Sequence, residues 1–123
     1  MHHDISEHLA PTFNLVEALE RVDGDRQLLG ELATLFLQEC PQMLAEVQEA
    51  LASHDPKALQ HSAHTLKGSV GNFGALSASE AAFVLEKMGR QGDLSAAHAA
   101  FTHLEAELAR LRPALAALIE EAA

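Results

Sequence analysis

The sequence predicts an all-α fold: an antiparallel up-down-up-down four-helix bundle preceded by a short N-terminal helix. Three observations lead there. Alanine and leucine dominate an apolar share of 48%, while aromatics make up 4% and Trp and Tyr are absent, a bias that favours helix over strand. Apolar residues recur at three- and four-residue steps in four long segments. Short runs rich in Gly, Asp and Pro separate those segments, and no strand-like alternation competes with them.

The elements follow in order. Residues 1–12 are polar, end near Pro11 and read as a loose arm or a short helix. Asn14, with Glu17 three residues on, has the form of a capping box and opens a short helix carrying Leu15, Val16 and Leu19. Asp23-Gly24 breaks it. Asp25 then caps a long helix to about Ser53 with Leu28, Leu32, Leu35 or Phe36, Met43, Val47 and Ala50 as its buried stripe. Pro41 falls inside this run, where it removes one hydrogen bond and crowds the carbonyl of Leu37, so a kink is expected there.

Asp55 as cap and Pro56 at the first helical position start the next helix, which stops in Gly71-Asn72-Phe73-Gly74. Ser77 with Glu80 reads as a second capping box opening a helix to about Met88, lined by Ala78, Ala81, Leu85 and Met88. Gly89 to Gly92 is the expected turn, and Asp93 the cap of the last helix. There Leu94, Ala97, Phe101, Leu104, Leu108, Leu111, Leu115 and Leu118 form the seam of helices packed nearly antiparallel. Pro113 is expected to kink or fray its end. At 123 residues the chain fits one domain, with the bundle spanning about 25–120 and roughly two-thirds of the unfolded surface buried.

Composition also excludes function classes. The net charge is −10, from 18 acidic and 8 basic residues, which lacks the basic footprint of a nucleic-acid binder and would be repelled by an anionic membrane. No apolar run reaches the length of a membrane span, and the first residues lack the pattern of a secretion signal. A single Cys40 permits no intrachain disulfide and reads as a small core residue. These features place the chain in the cytoplasm.

The chemistry concentrates in HSAHTLKGSVGNFGA, residues 61–75. On a helix, Leu59, Ala63, Leu66, Val70 and Phe73 form a core stripe, while Lys57, Gln60, His61, His64, Lys67, Gly68 and Gly71 occupy the opposite face. His64 points about 200° away from Leu66 at about 100° per residue. Lys67 stands one turn on, placed to meet an anion held by the imidazole. Gly68 and Gly71 each cost the helix roughly 1 kcal/mol relative to alanine, which makes sense if another protein's backbone must approach His64. A neutral imidazole is a nucleophile near physiological pH, and attack on a phosphoryl donor gives a phosphoramidate. Such a transfer needs in-line placement and charge neutralisation more than acid–base groups.

These residues carry a resemblance. With AHTLKGS at 63–69, NFGA at 72–75, the Leu85-Glu86 pair, Gly92-Asp93-Leu94, Gly24-Asp25 and LFLQECP at 35–41, the chain resembles histidine-containing phosphotransfer (HPt) domains over most of its length. The resemblance implies a monomeric four-helix bundle in which His64 takes a phosphoryl group from one receiver-domain aspartate and passes it to another. It implies help from Lys67 and Gly68, response-regulator receivers and a hybrid sensor kinase as partners, and Mg²⁺ held by the receiver rather than by this chain. Ala78 stands where the family often has a larger residue, usually Leu, and Gly71 where it often has Ala or Ser.

The same residues admit other roles. Gly71, His61, Gln60 and Ala75 are candidates for the partner-docking surface around Gly68. His61 is otherwise a solvated histidine, and Lys67 otherwise an ordinary solvated lysine. His61 and His64 form an i, i+3 pair, but it points outward and zinc would want two more ligands, so no metal is expected. Phe83 sits off its helix's apolar stripe, either packed sideways or part of a docking surface. The chain has no ATP-binding glycine loop and so should not phosphorylate itself. Two alternatives stay open: a scaffolding or inhibitory bundle that never carries phosphate, and the substrate domain of a chemotaxis-type kinase.

Overall fold

The computed structural model describes residues 12–122, so the expected N-terminal arm lies almost entirely outside the described residues. Five helices follow in order: α1 (Leu15–Glu20), α2 (Arg26–Ala52), α3 (Pro56–Gly71), α4 (Leu76–Gln91) and α5 (Ala97–Ala122). Helix α2 packs on α3 and α5, α4 packs on α3 and α5, and the diagonal backbones stand farther apart. With connections of a few residues, this is the up-down-up-down bundle, and α1 lies beside the start of α2. No helix among the described residues is long and apolar enough to cross a membrane.

The caps explain most boundaries. The Asn14 side chain accepts from the Glu17 amide at 3.1 Å, but the reciprocal half of the expected capping box is absent. The Asn14 amide instead donates to the Phe73 carbonyl at 3.0 Å, pinning α1 to the end of α3. Gly74 sits at this junction with φ +64°, and a Cβ there would lie 2.8 Å from the Asn14 Cβ, so both conformation and space demand glycine. Asp25 and Asp55 cap α2 and α3 through the amides of Leu28 and Ala58. Helix α2 runs unbroken through Pro41, and α5 continues nine residues beyond Pro113.

Four expectations need correction. Ser77 does not cap α4: the helix begins at Leu76, behind Ala75, which offers no side-chain cap. The Gly74 turn already aims the chain, so the Ala75 carbonyl accepts from Ser79 and Ser77 falls inside the first turn. Gly89 is not in the turn, because α4 continues to Gln91 and ends at left-handed Gly92. Asp93 does not cap α5; it accepts from the Ser95 amide at 3.1 Å and hydroxyl at 2.7 Å, and the helix starts at Ala97.

The fourth correction concerns the buried face of α2. Leu29, Ala33, Phe36, Cys40, Val47 and Ala50 face the core, while Leu28, Leu32 and Leu35 are exposed. The first half of α2 is apolar around most of its girth, and the small Ala33 and Cys40 permit the closer helix approach. Cys40 is fully buried, and burial pushes its thiol above the ordinary range, as suits a core residue. On α5 the seam is as expected, with Leu104, Leu108, Leu111 and Leu115 fully enclosed.

Candidate functional site

Helix α3 divides as its spacing requires. Leu59, Ala63, Leu66 and Val70 are inaccessible to solvent, and Phe73 just beyond the helix is nearly so. His64 projects from the far side with 65% of its side chain exposed. Its Nδ1 lies 3.1 Å from Oε2 of Glu86 on α4. An ionised carboxylate can only accept, so Nδ1 carries the proton in this pair, and in the neutral ring Nε2 keeps its lone pair. Nε2 is then the ring nitrogen left for a partner.

Glu86 is the residue that sequence reasoning missed. Its side chain is 5% exposed, yet it meets three potential cations: His64, Lys67 Nζ at 2.8 Å from Oε1, and Arg90 at 3.0 Å from Oε2. Ala78, Ala82, Glu86 and Gly89 recur at four, four and three along α4, all buried. A carboxylate on an apolar seam, with Arg90 one turn on, was the available signal. Burial alone would push the Glu86 carboxyl up, but the hydrogen bonds and charges of Lys67 and His64 outweigh it and hold the carboxyl below its ordinary value.

A carboxyl with a depressed pKa stabilises the fold above its unfolded value, about 4.3 for glutamate, and the effect fades as pH falls through the folded value. Glu86→Gln should therefore be less stable than the native chain at neutral pH, with a gap that narrows on acidification below about pH 4. Urea titrations of both proteins at several pH values would check this. A gap that stays constant into acid would remove Glu86 from the linkage.

Two helices meet closely enough for this contact because of Gly89. A Cβ at that position would lie 2.5 Å from both the Gln60 nitrogen and the Pro56 oxygen, which are backbone atoms of α3. Gly68 and Gly71 differ: a Cβ at either meets nothing within 4 Å. Nothing within the described residues asks for glycine at either position.

The remaining candidates divide. Lys57, Gln60, His61, His64 and Glu86 line one open groove, so Gln60 and His61 flank His64. Ala75 does not serve as a surface contact: it is 1% exposed and belongs to the core, because the turn at Gly74 directs it inward. Phe83 is neither buried nor isolated, for its ring lies under both Lys67 Nζ and Lys87 Nζ, each 4.8 Å from the centroid. Lys67 and Arg90 thus pair with Glu86 beside His64, Lys57 lines the same groove, and Lys87 shares the Phe83 ring with Lys67.

The comparisons agree with this geometry. The Hpt domain model matches residues 31–114. The crystal structure of histidine-containing phosphotransfer protein B from Pseudomonas aeruginosa superposes with a TM-score of 0.84 at 26% identity, covering 92% of this chain and 98% of that one. No curated protein matches. An exposed histidine tied to a buried carboxylate on a four-helix bundle, found in a chain that matches the family across most of its length, establishes that this chain belongs to the Hpt domain family and serves histidine phosphotransfer in a phosphorelay.

Proposed function

We propose that His64 is the phosphoacceptor, receiving a phosphoryl group at Nε2 from the aspartyl phosphate of one receiver domain and yielding it to another. The observation that carries this reading is the Nδ1 contact with Glu86, which fixes the ring and leaves the outer nitrogen nucleophilic on an exposed face. Nε2 attacks phosphorus, the P–N bond forms, and the P–O bond to the aspartate breaks with the carboxylate as leaving group. The ring becomes more positive as it takes the phosphoryl group, and Glu86 offsets that charge through Nδ1–H.

Lys67 stands one turn from His64 with its ammonium already desolvated in part. It supplies positive charge to the phosphoryl oxygens, while Gly68 and Gly71 keep the face low enough for a receiver to approach. Gln60 and His61 border the same groove on the other side. In this reading the chain needs no cofactor of its own, the divalent cation belongs to the receiver, and the phosphoryl group comes from partners rather than from ATP. The partners are response-regulator receivers and a hybrid sensor kinase, which places the exchange in the cytoplasm.

The test is transfer from a receiver domain carrying radiolabelled phosphate. Label that appears on this chain, is lost in acid and survives alkali, and maps to the peptide containing His64 is the expected result. Failure of a panel of receivers to label a demonstrably folded chain, or an acid-stable product, would overturn it.

A further inference from the structure

We propose that Phe83 is a positioning residue for Lys67, an aromatic rest that keeps the ammonium beside His64 without neutralising it. The inference rests on the reading of His64 as acceptor and of Lys67 as its electrostatic partner. Core packing does not account for Phe83. It is 37% exposed, off the seam formed by Ala78, Ala82, Glu86 and Gly89. An exposed aromatic on its own is ordinary, but this ring is covered by charged groups.

Lys67 Nζ and Lys87 Nζ each stand 4.8 Å from the ring centroid, within the range of cation–π attraction. Lysine's flexible four-carbon stem would otherwise let an exposed ammonium wander. Here the Lys67 side chain is only 28% exposed, held between the ring and Glu86 Oε1 at 2.8 Å.

The two restraints differ in kind. A carboxylate holds an ammonium strongly, but it also cancels the charge that a phosphoryl group needs to meet. The face of an aromatic ring attracts the cation through its quadrupole and leaves the charge unspent. When the phosphoryl group arrives on Nε2, Lys67 can turn from Glu86 towards the new anion while its stem stays on the ring. Lys87, one turn beyond Phe83, lies on the same ring and helps to keep it from swinging into solvent.

The experiment compares Phe83→Leu and Phe83→Trp, each alone and with Lys67→Ala. The rate of transfer from a labelled receiver is read alongside the proton chemical shifts of the Lys67 ε-methylene in the free protein. Phe83→Leu, which keeps bulk but loses the π face, should slow transfer about three- to tenfold. Phe83→Trp should restore it to within about twofold, since indole offers the better cation–π face. In the Lys67→Ala background Phe83→Leu should have no further effect, because the residue acts through Lys67. The ε-methylene should show an upfield ring-current shift in the native chain and lose it in Phe83→Leu.

Equal slowing by Phe83→Leu in the presence and absence of Lys67 would overturn the proposal and assign Phe83 to the partner contact or to the fold. Lys67 methylene shifts at ordinary positions in the native protein would overturn it as well. A native chain that takes no label would defeat the acceptor reading instead, and the methylene shift would still decide whether Phe83 holds Lys67.

Discussion

His64→Gln should yield a folded protein that accepts no detectable phosphoryl group from any receiver able to label the native chain. The argument is one of nucleophiles and their settings. A glutamine amide keeps the length and polarity of the position but has no lone pair able to attack phosphorus. His61 shares the groove, yet its side chain makes no hydrogen bond among the described residues, and so it has no carboxylate to fix its tautomer or offset its charge. Because His64 donates to the buried Glu86, stability should fall by about 1 kcal/mol, which leaves the bundle folded. Urea titration confirms the fold while label incorporation reads the loss. Residual labelling on the variant would move the acceptor to another histidine. The same variant separates a relay from a bundle that merely docks, since a docking scaffold would retain its cellular function.

Gly89→Ala should be the most damaging single methyl in the molecule, costing about 3 kcal/mol and slowing transfer in the fraction that stays folded. On an exposed helix the same change would stabilise by roughly 1 kcal/mol, so here the sign itself is diagnostic. The added carbon would meet the Gln60 nitrogen and the Pro56 oxygen at 2.5 Å, and backbone atoms cannot rotate away as a side chain would. The two helices must separate locally, which draws Glu86, three residues earlier, away from His64. Urea denaturation measures the first effect and transfer kinetics the second. A variant as stable as the native chain would show that α3 and α4 can part at little cost.

How far the sequence speaks depends on whether a feature lies within one helix or between two. The seam of α5 and the two faces of α3 were legible because a single period decides them, and every buried residue expected on α3 is buried. The face of α2 was not, since leucines at 28, 32 and 35 compete with Leu29, Ala33 and Phe36 and only the neighbouring helices choose between the sets. Gly89 looked like part of a turn because Gly92 lies close behind it; its true constraint comes from the backbone of α3. Glu86 belonged to the family pattern, but its link to His64 spans 22 residues and depends on that helix contact. The Ser77 box failed for a simpler reason, namely that Gly74 had already set the helix start two residues earlier.

Lys57, Lys67 and Arg90 lie close to His64, and Lys87 meets Lys67 on the Phe83 ring, which gives this acidic chain a polarity that its overall charge conceals. Seen from a distance the molecule repels an acidic neighbour; seen from the His64 side it attracts one. Such an uneven field turns an acidic partner during its approach, so that the productive end tends to face it before any atoms touch. The reach of that guidance is set by the solution: about 30 Å at 0.01 M salt and about 8 Å at physiological strength. Encounter at this site is thus tuned by the ionic medium, while the close-range contacts around Glu86, sheltered from solvent, are left almost untouched.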